Sequence, residues 1–280
     1  MIKAIQTLDL DNGNCKVFSD KNNYAPSAAA LINGTLAHSL DFDDTHAEAS
    51  LHSSAPILSA ALSAAQMKNC SGQQLITACV IGYEIQIRLG LAGGSSAHYK
   101  KGFHPTATCG VFGAVASAGY LMGLTKDQFV SAFGIALSQS AGSMQFLTDG
   151  AWTKRSHVGQ AAQNGLNCAT MAAEGFKGPT QAFEGQWGYL HAYASGGDLK
   201  KALDGFIDST QTSVNGKVKI RLHKGNAIVI GRSSENNSLY REDLATYSKD
   251  DIFNHEQAEG FIYMWGMSNK IWAELNSKKE

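Results

Sequence analysis

The sequence predicts a mainly α-helical protein that ends in a small β-hairpin followed by a helix. From residue 26 to residue 205 the chain is rich in Ala, Gly, Ser and Leu, with apolar residues at spacings of three and four. This pattern is typical of closely packed helices, because small residues let helix axes approach. After residue 206 the period of the apolar pattern changes. We therefore expect a helical domain over residues 1–206 and a second unit over residues 207–280.

The helices of the first unit follow from the periodic segments and the breaks of Gly, Ser and Asn between them. Ser71 and Thr125 each stand three residues before a Gln, which is the pattern of a helix N-cap with a capping box. The segment NCKVF near the N-terminus is the strand signal in this part of the sequence. The predicted helices span about 26–42, 54–68, 73–91, 106–122, 126–140 and 157–174.

The C-terminal unit has a different pattern. KVKIRL (217–222) alternates basic and apolar residues, HKGN supplies a turn, and AIVIG (227–231) fits a partner strand. Residues 256–275 then place Phe, Ile, Trp and Leu on one face of a helix. About 70 residues of this kind cannot bury a sizeable core alone. The unit is expected to dock on the helical domain or on another copy, so we predict a homo-oligomer, a dimer or larger.

Composition and charge exclude several classes of protein. The chain has 280 residues, of which 44% are hydrophobic and 17% charged, as in globular proteins. The net charge of -1 and the pI near 6.7 give no electrostatic basis for binding nucleic acid or an anionic membrane. Five scattered cysteines without a CxxC pair fit a reducing compartment. We expect a cytoplasmic protein with no nucleic-acid or membrane partner.

Residues 40–54, LDFDDTHAEASLHSS, concentrate acids and imidazoles in a chain that is poor in charge. DFDDT spells the D-x-D-x-T nucleophile motif of haloacid-dehalogenase-type phosphatases, but that motif must follow a buried strand. Here a helical segment precedes it. A metal site is a second interpretation, and solvated acids after a helix are a third. The spacing matches no closed zinc pattern, so we expect no metal. The possible ligands would be Asp41, Asp43, Asp44, His46 and His52.

Several further motifs accompany this stretch in a fixed order. They are NGTLAHSLDFDDTH, GYEIQIR (82–88), KGFHPTATCG (101–110), GAWTKRSHVGQAAQNG (150–165) and GQWGYLHAY (185–193). Over about residues 20 to 205 this set resembles the MmgE/PrpD family, which includes 2-methylcitrate dehydratases, cis-aconitate decarboxylases and an iminodisuccinate epimerase. The resemblance implies a lyase or isomerase that needs no cofactor and acts on a small polycarboxylate.

The residue types in these motifs suit that chemistry. Histidine has a near-neutral pKa for moving a proton, and lysine or a helix N-terminus can hold carboxylates. By resemblance, Asp41 and Thr45 line the pocket, where Asp41 takes part in catalysis and Thr45 binds substrate. His52 stands where the family transfers the proton, and His104 and Lys154 bind substrate and take part in catalysis. The resemblance also suggests four supporting residues around them, which are His38, Asp44, His46 and His157.

The C-terminal unit resembles a different family. Over about residues 213 to 277, the segments KGN, SLY, LATY and AEGFI are similar to the C-terminal end of argininosuccinate synthases, a structural and tetramer-forming piece. The nucleotide loop of that family is not found, since AGGSS (92–96) follows a helical run. The MmgE/PrpD resemblance also implies first helices and a second, lid-like domain that this chain lacks. Two alternatives to a lyase or isomerase therefore stay open: a non-catalytic self-association module and a fragment related to argininosuccinate synthase.

Overall fold

A computed structural model of the protein describes residues 1–18 and 20–203, which form a bundle of helices with one short hairpin. The predicted hairpin at 217–231 and the helix at 256–275 lie outside these residues, as does the predicted boundary at 206. Within the described part the mainly α prediction is confirmed. The elements are α1 (Ile2–Thr7), β1 (Cys15–Lys16), β2 (Asn23–Tyr24), α2 (Pro26–Ala37), α3 (Ser54–Lys68), α4 (Gly72–Gly93), α5 (Ser95–Lys100), α6 (Pro105–Met122), α7 (Lys126–Leu137), α8 (Phe146–Asp149), α9 (Thr153–Ala173), α10 (Tyr189–Ala192) and α11 (Leu199–Leu203).

Helix α6 lies at the centre of the bundle and contacts α3, α4, α7 and α9. Nearly every residue of α6 is buried, as expected for a helix that is apolar all round. Small residues let its neighbours approach. A Cβ added to Gly113 of α6 would lie 2.9 Å from the carbonyl oxygen of Gly82 in α4. The abundance of Ala and Gly in the sequence is therefore what allows this packing.

The N-terminal segment forms a smaller core of its own against α2. Strands β1 and β2 pair antiparallel, with Cys15 opposite Tyr24, which confirms the strand predicted in NCKVF. Cys15 and Tyr24 are fully buried with Ile5 of α1 and Ile32 of α2. The five cysteines of the chain are free, as the unpatterned spacing predicts.

The predicted helix starts at Ser71 and Thr125 are confirmed. Each side-chain oxygen accepts a hydrogen bond from the backbone N–H of the Gln three residues on, and each Gln side chain bonds back. Helix α4, which begins at the first of these caps, is the one described helix long and apolar enough to cross a membrane by composition. Of its most apolar stretch, 72% is buried inside the protein, as in the core helix of a globular domain.

Three predicted helix boundaries were wrong, and two of the errors concern the functional region. Helix α2 ends at Ala37 rather than near residue 42, and it cannot extend to 42 because Asp41 has a φ of 59° in the left-handed region that a helix cannot continue through. Helix α9 begins at Thr153 rather than at 157, since the polar residues of its first turn carry no apolar period. Helix α7 ends at Leu137, three residues before the predicted end.

Candidate functional site

Three chain segments meet at one end of the bundle. The loop from residue 38 to residue 53 follows α2 and leads into α3, and beside it lie the N-terminal ends of α6 and α9. His104 is the N-cap residue of α6, and Lys154 lies in the first turn of α9. Helix N-termini carry partial positive charge and unpaired N–H groups. This end of the bundle is therefore suited to anions.

Asp41 and Lys154 form an ion pair at the outer side of the site. Lys154 Nζ donates to both carboxylate oxygens of Asp41, at 2.7 and 2.8 Å. This hydrogen bond lowers the pKa of Asp41 below its ordinary value, with help from the charge of Lys154. The side chain of Asp41 is 55% exposed and that of Lys154 29%. Both can therefore be reached by a molecule entering from solvent.

Asp43 is shared by two imidazoles. Its Oδ2 lies 2.8 Å from His38 Nδ1 and 3.6 Å from His52 Nδ1. A carboxylate can only accept, so the short contact places the proton of His38 on Nδ1. The Nε2 atom of His38 is buried and has no hydrogen-bond partner. Asp43 thus fixes both the orientation and the tautomer of His38.

His52 lies between the buried and the exposed parts of the site. Its Nδ1 is 3.3 Å from Thr45 Oγ1, and its Nε2 is 3.7 Å from Asp41 Oδ1. Its backbone is held from both sides: its N–H donates to Thr106 Oγ1 at 3.1 Å, and its carbonyl accepts from Gln86 Nε2 at 2.9 Å. The ring is 18% exposed, more than that of His38. His52 is therefore a fixed imidazole that solvent can reach.

A second pair of imidazoles lies beside the first. The ring of His104 stacks at 5.8 Å from that of His38 and lies 5.7 Å from that of His157. Phe146 contacts both His104 and His157. Burial lowers the pKa of His104 to about 2, and burial also lowers the pKa of His157. Both rings are therefore neutral at physiological pH, and the Nδ1 atom of each is buried without a partner.

Two of the predicted supporting residues have structural contacts instead. Asp44 Oδ1 accepts from the backbone N–H of Ser54 at the start of α3, and burial raises its pKa. His46 Nδ1 accepts from the backbone N–H of Ala49, and His46 bridges to Leu51 across the loop. These two residues shape the loop that carries Asp41 and His52. The other seven predicted residues lie together at the site.

Three residues that orient the histidines of the site could not be identified as such from the sequence. Asp43 is predicted from the sequence only as a possible metal ligand, because its spacing from His38 does not reveal the contact between them. Thr106 and Gln86 gave no signal, because their role depends on helices α4 and α6 meeting the loop at His52.

Because several histidines are buried with lowered pKa values, the protein should lose stability in mild acid. Burial lowers the pKa of His98 to about 4, and His98 Nε2 bonds to the hydroxyl of Tyr189. The folded state disfavours protonation of His98, so His98 contributes fully to the unfolding free energy above its unfolded pKa near 6.5. This contribution is lost as the pH falls toward 4. Each such histidine should lower the unfolding free energy by about 1.4 kcal/mol per pH unit in that window. Urea unfolding at several pH values from 7.5 to 5 measures this slope.

The variant His98→Gln supplies the comparison for that measurement. It removes one titrating group but keeps a side chain that can bond to Tyr189, so its pH slope should be shallower than that of the wild type while His104 still contributes. Identical slopes for the two proteins would contradict the assignment of His98.

The comparisons with known proteins divide the chain in two. The family model described as the MmgE/PrpD N-terminal domain matches residues 1–202, which is most of the chain. The model described as the arginosuccinate synthase C-terminal domain matches residues 163–272. The two matches overlap over residues 163–202. All the site residues described above come before this overlap.

The curated relatives match the C-terminal part. Argininosuccinate synthase from Prochlorococcus marinus subsp. pastoris (strain CCMP1986 / NIES-2087 / MED4) is 94% identical over 83 residues, which is 30% of this chain and 20% of the relative. The enzyme of the same name from P. marinus strain AS9601 is 75% identical over 103 residues, 37% of this chain and 25% of the relative. The chain thus spans about a fifth to a quarter of the length of these relatives.

Proposed function

The chain belongs to the MmgE/PrpD family, and from this premise we propose that it is a cofactor-independent lyase or isomerase acting on a small polycarboxylate. The observation that carries the proposal is the juxtaposition of an exposed Lys154–Asp41 pair with His52, His38 and His104. The reaction would be a dehydration, a decarboxylation or an epimerisation. Each of these requires a carboxylate to be held and a proton to be moved at the neighbouring carbon.

Lys154 and the N-termini of α6 and α9 would bind the substrate carboxylates. The ammonium of Lys154 is accessible, and its partner Asp41 keeps it in place at the edge of the site. The neutral ring of His104 lies at the start of α6, where a positive charge would be disfavoured by burial. The buried Nδ1 of His104, which has no partner within the protein, would bond to a substrate oxygen without adding charge.

His52 would transfer the proton. It is the more exposed of the two imidazoles beside Asp41 and Asp43, and its backbone is fixed by Thr106 and Gln86. Thr45 and Asp43 lie on the Nδ1 side of the ring, which leaves Nε2 directed toward Asp41 and the accessible part of the site. A base held in this way needs little reorganisation, which favours catalysis.

Proton NMR of the full-length protein in D2O tests the proposal, with cis-aconitate, 2-methylcitrate and iminodisuccinate as the panel. We expect product formation or deuterium exchange with one member, and a rate lower by a factor of about 10²–10⁴ for His52→Ala, the range for loss of a general acid or base. The matched control is His191→Ala, since His191 is an exposed histidine of α10, outside the site. Equal rates in the two variants would contradict the role of His52.

A second candidate function is a non-catalytic self-association module. It is supported by the close match of the C-terminal part to argininosuccinate synthases, and by the exposure of the Asp41–Lys154 pair, which leaves the site open to solvent. No turnover across the panel would favour it. A homo-oligomer in the cytoplasm is part of both proposals, and a monomeric mass by light scattering would contradict the oligomer. Argininosuccinate synthesis itself would require ATP binding, which equilibrium dialysis measures.

A further inference from the structure

The two imidazoles nearest Asp41 place the same ring nitrogens near the same two carboxylates, and this arrangement goes beyond what proton transfer requires. The Nε2 atoms of His38 and His52 lie 4.0 and 3.7 Å from the same carboxylate oxygen, Asp41 Oδ1. Their Nδ1 atoms lie 2.8 and 3.6 Å from the same oxygen of Asp43. Each ring thus has one nitrogen toward an outer carboxylate and the other toward an inner one. A proton-transferring site needs one such imidazole, whereas a metal centre needs several.

From this geometry we propose that His38 Nε2, His52 Nε2 and Asp41 Oδ1 form a binding site for a divalent transition-metal ion of the Zn²⁺ class. Among the described residues, these side chains together with Asp43 form the group whose possible ligand atoms all lie within 4.8 Å of one another. Two nitrogens and one oxygen suit Zn²⁺ and Co²⁺ better than Mg²⁺ or Ca²⁺, which prefer oxygen ligands. A fourth position would be open to water.

The distances fit an ion with a small adjustment. Zn²⁺ binds imidazole and carboxylate at about 2.0–2.2 Å, so two ligands of a tetrahedral ion lie about 3.3 Å apart. The separations of 3.7 and 4.0 Å exceed this by less than about 1 Å. Asp41 lies on a loop with its side chain 55% exposed, so it can move inward. His38 Nε2 is fully buried and unpartnered, and it already faces the position of the ion.

Asp43 would be the outer partner that such sites usually contain. Ligating histidines commonly donate their second ring nitrogen to a carboxylate, which fixes the tautomer and makes the ligand more basic. Asp43 is 5% exposed and accepts from His38 in this way, while Thr45 lies beside the corresponding nitrogen of His52. The sequence favoured no metal because the residues match no zinc spacing pattern. The loop brings the ligands together in a way that spacing does not reveal.

The ammonium of Lys154 competes with the ion for Asp41. This ammonium already binds both oxygens of Asp41, so a metal must share the carboxylate with it or displace it. The ion would also occupy the nitrogen of His52 that we assign to proton transfer. Metal binding and turnover should therefore exclude one another, and a metal of this class would inhibit the reaction. Binding itself does not depend on the proposed reaction.

Titration of the full-length protein with Co²⁺ tests the site, because tetrahedral Co²⁺ has an intense visible spectrum. We expect saturable binding that Zn²⁺ displaces, at least tenfold weaker in His52→Gln and in Asp41→Asn, and about 10–100-fold weaker in Asp43→Asn. The residues of the first two variants are partly exposed, so these variants should fold, which circular dichroism checks. Lys154→Met should bind Co²⁺ more tightly, because it removes a competing cation. His191→Gln is the control and should bind like the wild type.

Two results would overturn the proposal. One is the absence of saturable Co²⁺ binding up to millimolar concentration. The other is equal affinity in His52→Gln, Asp41→Asn and His191→Gln, which would place the ion elsewhere on the chain. Because no substrate is present in the titration, either result leaves the proposed reaction untouched, and failure of the D2O experiment leaves the metal site untouched.

Discussion

Replacing Gly159 with alanine adds one methyl group and should strongly destabilise the helical bundle. Gly159 lies where α9 crosses α2. A Cβ at this position would be 2.2 Å from the carbonyl oxygen of Leu31 and 2.3 Å from Thr35 Oγ1. The first of these atoms is backbone, and Thr35 already bonds to Leu31. Neither can move aside alone, so α2 must shift away from α9.

The expected cost is about 3 kcal/mol or more in unfolding free energy, at the upper end for overpacked cores. Alanine is a better helix former than glycine by about 1 kcal/mol, which offsets part of the strain. The loss of about 3 kcal/mol is the net change in unfolding free energy after this gain. Urea unfolding followed by far-ultraviolet circular dichroism measures it. Turnover should also fall in the molecules that remain folded, because His38 directly follows α2 and α9 carries Lys154.

Gly72→Ala is the matched control for this variant. Gly72 is the first residue of α4, and an added Cβ would meet nothing within 4 Å. This substitution should leave stability unchanged or raise it by up to about 1 kcal/mol, because it restricts the unfolded chain. If the two variants unfold at the same urea concentration, the crossing of α2 and α9 is not as close as described.

The helices could be predicted from sequence because their signals are local. The capping boxes at Ser71 and Thr125, and the apolar periods that follow them, depend on residues three and four apart. Boundaries failed where the cause was not local. Helix α2 cannot extend over the predicted residues 38–42 because they include the turn at Asp41, which pairs with Lys154 more than a hundred residues later. The start of α9 contains that lysine and has no apolar pattern.

The candidate site could be predicted in part. Motifs identified Asp41, His52, His104 and Lys154, and the structure brings these residues together. Their relations could not be predicted, because orientation is a property of packing. Nothing in the sequence says that Asp43 faces two imidazoles, or that His46, a histidine of the same stretch, turns inward to shape the loop. Residue types therefore suggested the chemistry, while the helix ends that meet at the loop decide which atoms take part.

Lys154→Met should reduce kcat/KM by about 30–150-fold on whichever substrate the D2O experiment identifies. Loss of a hydrogen bond to a charged group costs about 2–3 kcal/mol, and this lysine holds both Asp41 and, by our proposal, a substrate carboxylate. Its removal also leaves the charge of Asp41 unneutralised in front of an anionic substrate. The pKa of Asp41, which the lysine lowers, should rise toward its ordinary value.

A double variant separates these two effects. In Lys154→Met/Asp41→Asn the repelling carboxylate is gone, so KM should recover in part relative to Lys154→Met, whereas kcat should not. Lys126→Met is the control, since Lys126 is an exposed lysine in the first turn of α7, and it should match the wild type. Steady-state kinetics of the wild type, Lys154→Met, the double variant and Lys126→Met measure these changes in kcat and KM.

If Lys154→Met keeps the kcat/KM of the control, the lysine does not hold the substrate and Asp41 pairs with it for structural reasons alone. If KM is equally high in the double variant, direct contact between the ammonium and the substrate, rather than neutralisation of Asp41, accounts for the loss.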